Sequence, residues 1–223
     1  MAFEAEGRRP AWGSTPARPE GRAYLQDYAA LLDAVSFPSV VIDHRWDVLL
    51  ANRAYDTLFA GIGPHPTAMP RDNLLRFVLF HPDAGTVLAD HEASWCLPML
   101  AYFADAIERH PDDEELTAIR AAVADDPFMD AAYQHGVPHW IRSVGAEAVL
   151  PDGSLRPLRH PDPRWGLTHC RIVGEAPTTL QAMGYSRLTL VLREPRRAPD
   201  IRRTSRRARR GTGHLRAVPA SES

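Results

Sequence analysis

The chain has 223 residues, 44% of them apolar, and a formal net charge of −2, which suits one ordinary domain with terminal extensions. It excludes several classes. No apolar run approaches the roughly 18–20 residues of a membrane-spanning helix, the N-terminal stretch has no apolar segment of a secretory signal, and Cys96 and Cys170 alone make neither a disulfide framework nor a zinc pattern, so a reducing cytoplasm is the expected compartment. All 26 basic residues are arginine. From Arg193 to Ser223 ten arginines face only Glu194, Asp200 and Glu222, so this tail carries +7 and the remainder −9.

Residues 1 to 20 are rich in Pro, Gly and Arg and are expected to be disordered. From Ala23 to Val35, Tyr24, Leu25, Tyr28, Leu31, Leu32 and Val35 recur at helical spacing, and Phe37-Pro38 stops that helix. "SVVIDHRWDVLLAN" reads as two strands joined at Asp43-His44-Arg45, with Trp46, Val48 and Leu50 on one face of the second. Asn52 is placed as an N-cap for a short helix carrying Tyr55, Leu58 and Phe59, ended by Gly61 and Gly63.

"RDNLLRFVLFHP" predicts another helix, capped at Asp72 or Asn73, with Leu74, Leu75, Phe77 and Val78 toward the core. A longer helical region runs from about Thr86 to Arg109. In it Trp95, Met99, Phe103 and Ile107 repeat every four residues, and Pro98 is expected to kink or divide it. "PDDEELTAIRAAV" opens with Asp112 and Glu115 at capping-box spacing and continues with Leu116, Ile119 and Val123. "DDPFMDAAYQHG" adds a short helix with Pro127 in its first turn.

The last third is strand-like. "SVGAEAVLPDGSLRPLRHP" predicts two strands around Pro151-Asp152-Gly153, and "WGLTHCRIVG" and "YSRLTLVLREP" predict two more, linked by "EAPTTLQAMG". Two strands, several helices and a second group of strands imply an α+β domain with one antiparallel sheet, spanning 21–194 between disordered ends. From Pro195 onward there is no apolar stripe.

The order of these elements is that of PAS-like sensor domains. In narrower detail, "WDVLLANRAYDTLF", "NLLRFVLFHPDAG", "HGVPHW" and "RHPDPRWGLTHCRI" with "LTLVLREP" resemble the ligand-binding domain of MmyB-like transcription regulators, over residues 23 to 194. The resemblance implies a PAS-like antiparallel sheet with helices packed on one face, and an apolar or fatty-acid-like ligand. Members of that family usually carry an N-terminal helix-turn-helix domain. Fewer than forty residues precede the first strand here, so this chain is expected to act without one of its own.

Other chemistries find little in the sequence. "DHEASW" starts as a zinc-protease helix does, but Trp95 stands where the second His belongs. His81, His110 and His160 precede prolines and read as turn and helix-end residues. His169 and Cys170 are strand neighbours and point to opposite faces, so that His cannot activate that thiol. Gly61-Ile62-Gly63 is too short for a phosphate loop. No enzyme, metal or cofactor is expected.

The candidate ligand-binding wall is Phe77, Trp95, Met99 and Phe103. The ligand is expected between sheet and helices, where it would shift the helix at Ala23 to Val35. Arg202, Arg203, Arg206, Arg207, Arg209 and Arg210 are candidates for weak, sequence-blind contact with DNA phosphates. The expected function is small-molecule sensing in transcriptional control. The rival readings are an interaction module that dimerises with or sequesters a full-length regulator, and an inactive fragment.

Overall fold

The computed structural model describes residues 19–193. The expected disordered ends fall outside that range, except for Pro19 and Glu20, which open the first helix. The helices are α1 (Pro19–Asp33), α2 (Arg53–Leu58), α3 (Leu74–Phe80), α4 (Ala84–Val87), α5 (Leu97–Arg109), α6 (Glu114–Asp125), α7 (Pro127–Ala131), α8 (Val137–Val144) and α9 (Thr178–Ala182). The strands are β1 (Ser39–Ile42), β2 (Val48–Ala51), β3 (Leu155–Arg159), β4 (Leu167–Glu175) and β5 (Ser186–Arg193). They form one antiparallel sheet in the order β2-β1-β5-β4-β3. The fold class is α+β, as the sequence implies.

The period of two along β1 divides the core. Val40 and Ile42 point into the large core under α2, α3, α5 and α6. Val41 points the other way and joins Leu25, Tyr28, Leu32, Leu49 and Leu180 in a smaller cluster. Thus α1 and α9 lie on the opposite face of the sheet from the main helical layer.

Asn52 joins these layers. It is fully buried. Its Oδ1 accepts from Tyr55 N–H at 2.9 Å, capping α2, and from Ser39 N–H at 3.0 Å, at the start of β1. Its Nδ2 donates to the carbonyls of Leu32, Val35 and Phe37, at 3.2, 2.9 and 2.9 Å. The residue expected only to start one helix therefore also ends another. On α6 the cap is Asp113, one residue later than the spacing suggested; its Oδ1 accepts from the N–H groups of Glu115 and Leu116. Its Oδ2 takes Arg45 Nε at 2.7 Å and His44 Nε2 at 2.8 Å. Burial alone would raise this carboxyl, but the hydrogen bonds from His44, Leu116 and Arg45 outweigh it and hold it far below the usual range.

Four expectations change. Trp46 lies in the turn before β2, not in it, with φ of +64°, a left-handed conformation that is unfavourable for a bulky residue. The pairing shifts between Val41 and Ile42, opposite Leu50 and Val48, so Leu49 is an extra residue and strict alternation fails. The helix expected from Thr86 is broken at Asp90, where φ is +50°, and restarts as a π turn, Glu92–Cys96, before α5. Pro98 explains the wide turn, because its ring would clash with the carbonyl four residues back. The same device recurs at Ala132–Gly136, two residues before Pro138, joining α7 to α8. Of the two strands expected around Pro151-Asp152-Gly153 only β3 forms; Ala146–Val149 is a 3₁₀ turn.

Removing Asn52 strips buried partners from two N–H groups and three carbonyls at once. Each unsatisfied buried group costs about 1–3 kcal/mol, some of it recovered by relaxation. Asn52→Ala should therefore lower stability by about 3 kcal/mol, well beyond the ~1 kcal/mol of an ordinary cap. Urea unfolding with an unchanged slope checks this, and a loss of 1 kcal/mol or less would reduce Asn52 to a simple cap.

Candidate functional site

A cavity of about 50 Å³ lies between the inner face of the sheet and the helical layer. Its floor is Val40, Ile172, Leu188 and Leu190. Its roof comes from α2, through Tyr55 and Phe59, and from the π turn with α5, through Trp95, Met99 and Tyr102. Trp46, partly exposed, closes part of the wall. The lining is apolar with few exceptions. The Tyr55 hydroxyl is engaged, donating to the Pro70 carbonyl at 2.7 Å. The Trp95 indole N–H reaches out of the cavity to the Pro157 carbonyl at 2.9 Å and ties the π turn to β3.

The remaining polar group is Arg156. In β3, Arg156 and Leu158 share the inward face, and Arg156 is 7% exposed. Its Nη1 donates to the Ser94 carbonyl at 2.5 Å. Ser94 is four residues before Pro98, so its carbonyl is the one that a proline cannot satisfy; the guanidinium takes the place of the missing N–H. Its Nη2 donates to the Tyr102 hydroxyl at 2.8 Å, which in turn donates to the Leu150 carbonyl at 3.4 Å. Both acceptors are neutral. None of the ion pairs among the described residues includes Arg156. A cation taken out of water without an anion is costly, and this one borders an apolar cavity.

The structure separates the four sequence candidates. Trp95 and Met99 line the cavity. Phe103 and Phe77 are fully buried beside it, in other contacts: Phe103 lies edge-on to Tyr133, and Phe77 packs on Phe59 and His81. The tail arginines Arg202 to Arg210 lie outside the described residues. Sequence reasoning missed Arg156, Tyr102, Tyr55 and the cavity side of Trp46. A signal for Arg156 was present, since Arg156 and Leu158 stand at the same parity of one strand, and an arginine at a core-facing position needs a reason.

Cys96 Sγ lies 3.3 Å from His91 Nε2, but both thiols are buried and held protonated. Burial pushes the Cys96 and Cys170 thiols up to about 12, and the reactive form is the thiolate. His169 is exposed and Cys170 buried, on opposite faces of β4. Among the described residues no group of three or more His, Cys, Asp or Glu side chains could hold a metal ion, and no helix is long and apolar enough to cross a membrane.

If Arg156 is held in place only to satisfy Ser94, its loss should be severe. If its charge awaits an anion, removing that charge should offset much of the lost bonding. Arg156→Met should thus change the stability of the ligand-free protein by less than about 1 kcal/mol. Chemical denaturation checks this, and a loss above about 3 kcal/mol would make Arg156 a structural brace.

Comparison with known proteins matches residues 26–144 to the MmyB-like transcription regulator ligand binding domain. Curated proteins give no match. The match covers more than half of the 223 residues, and the chain belongs to this family. It runs from α1 to α8 and stops short of β3, so Arg156 lies beyond the matched stretch.

Proposed function

We propose that this ligand-binding domain senses an amphipathic molecule with an apolar chain and an acidic head, a fatty-acid-like ligand, and acts in transcriptional control and not as an enzyme. The observation that carries the reading is the unpaired, buried guanidinium of Arg156 at the wall of an apolar cavity. A carboxylate there would supply the missing counter-charge, with Tyr102 beside it. The chain of the ligand would lie along Met99, Trp95 and the sheet, gaining about 0.8 kcal/mol per buried methylene before ordering costs. The strand order β2-β1-β5-β4-β3 supports a PAS-like description.

The cavity of about 50 Å³ is well below the ~300–1,000 Å³ of ligand pockets. The form described is therefore the contracted one, and a ligand binds by favouring a wider state. Trp46, with its unfavourable φ, and α2, which carries Tyr55 and Phe59, are the wall elements that widening would displace. Asn52 caps α2 and holds the end of α1, so displacement of α2 reaches α1, the helix expected to respond. Exposed Phe128, Ile141, Val144 and Leu150 favour the second reading, an interaction module; a co-eluting regulator and an unfillable cavity would support it.

Calorimetric titration with dodecanoate, dodecanol and dodecylamine tests the reading. The acid should bind tightest. Arg156→Gln should weaken the acid by about 10–100-fold, the worth of a charge-assisted hydrogen bond, and leave the alcohol unchanged. Equal affinity for all three, or none for any, would contradict it.

A further inference from the structure

We propose that the cavity measures its ligand: Arg156 fixes the carboxylate at the β3 edge, the chain crosses the sheet toward β1, and Trp46 with Phe59 stops its far end, so the domain selects acids by chain length. This rests on the acidic-head reading above and adds the direction of the ligand and the two residues that limit its length.

The register gives the direction. Residues directly opposite in antiparallel strands share a face, and alternate residues along a strand do too, so the inward-facing residues form rows across the sheet. Arg156 pairs with Cys170, and Cys170 with Leu192, in the first row. Ile172 pairs with Leu190 in the second. Gly174 pairs with Leu188, and Leu188 with Val40, in the third. The cavity is lined by Arg156, then Ile172 and Leu190, then Leu188 and Val40. It therefore runs diagonally from β3 to β1. The roof is polarised in the same way. Tyr102 and Trp95 donate or accept at the β3 end, with Arg156 and with the Pro157 carbonyl. Tyr55 and Phe59 belong to α2, which packs on β1, and Trp46 to the turn between β1 and β2. At this second end the Tyr55 hydroxyl is already taken by the Pro70 carbonyl, and Phe59 offers ring carbon to a methyl terminus.

The far end is braced. Asn73 Nδ2 donates to the Arg45 carbonyl at 2.8 Å and Leu74 N–H to the Trp46 carbonyl at 3.0 Å, while His44 and Arg45 hold Asp113 at the start of α6. Phe59 is buried against the rings of Tyr55 and Phe77. A chain that fits displaces this wall a little; each carbon beyond the fit works against those contacts. The floor is hydrogen-bonded sheet and does not stretch, so it sets the length. Straight across, three strand spacings of about 4.8 Å make about 14 Å; with two rows along the strands the diagonal is about 20 Å. A zigzag chain of carbon–carbon bonds of about 1.5 Å advances about 1.25 Å per bond. The span therefore takes an acid of about twelve to sixteen carbons.

The test is calorimetric titration of the full chain with straight-chain saturated acids of eight to eighteen carbons, below their micelle concentrations, beside Trp46→Gly, Phe59→Leu and Arg156→Gln. Glycine suits the φ of +64° at position 46, so Trp46→Gly removes the ring and relieves the backbone at once. A cooperative urea transition establishes that each variant is folded. In the wild type each added carbon should tighten binding about fourfold up to an optimum at about twelve to sixteen carbons, beyond which affinity falls. Trp46→Gly and Phe59→Leu should each move the optimum up by about two carbons or more, the length of chain that the lost ring carbon stood against. Arg156→Gln should weaken every acid and leave the optimum where it is. Affinity that rises without a break to eighteen carbons, or an optimum that neither Trp46→Gly nor Phe59→Leu moves, would overturn the inference while the acidic-head reading stands. No binding of any acid would overturn both.

Discussion

Five polar contacts to one side chain, with one amide N–H shared between two carbonyls, hold this domain in register. Asn52 satisfies the end of α1, the start of β1 and the start of α2 together. No other residue type does this: only an amide offers an acceptor and two donors on one short, neutral group. Aspartate would lose the donors and bury a charge. The consequence is geometric. The two faces of the sheet are covered by different helices, and Asn52 fixes the helix on one face relative to the first helix of the cavity wall on the other.

The site grows from a conflict inside the helical layer. Pro98 starts α5 beside the cavity and has no N–H to donate to the Ser94 carbonyl, four residues back. Arg156, arriving from β3, donates to that carbonyl in its place. The fold thereby brings a guanidinium under the sheet, where arginine is seldom found without a carboxylate. In the proposed reading, a hydrogen-bond requirement of the helix and a charge requirement of the ligand fall on the same side chain. Because a guanidinium has five N–H groups and two are shown in use, the remaining ones could meet an anion without surrendering the contacts to the Ser94 carbonyl and the Tyr102 hydroxyl.

Much of the architecture was legible from periodicity and capping. Asn52, Asn73 and Pro127 mark real helix starts, the stripe Leu116, Ile119 and Val123 is buried, and β4 and β5 lie where alternation put them. What was not legible came from local backbone exceptions. A left-handed Trp46 moves an expected strand residue into a turn, yet leaves its ring at the cavity. A shifted pairing at Leu49 breaks the period of two. Residues 146–149 have strand-like composition but fold as a 3₁₀ turn. The stripe of Trp95, Met99 and Phe103 lies along the helical segment that borders the cavity, but spacing by four cannot decide which of its members meets the void. Trp95 and Met99 do, whereas Phe103 points toward Tyr133. The arginine that gives the cavity its character sits on a strand far along the chain, and only the tertiary fold brings it under Ser94.

The central claim is that a ligand carboxylate sits against Arg156 in an otherwise apolar cavity. Carbon-13 NMR of carboxyl-labelled dodecanoic acid bound to the protein observes that contact directly. A carboxyl beside a guanidinium is held ionised and titrates below its value in water, whereas one in a purely apolar site titrates above it. The account predicts a bound carboxyl resonance that keeps its ionised shift below the pH at which the free acid protonates, and loses that behaviour in Arg156→Gln. A bound carboxyl that protonates at higher pH than the free acid, unaffected by Arg156→Gln, would contradict it.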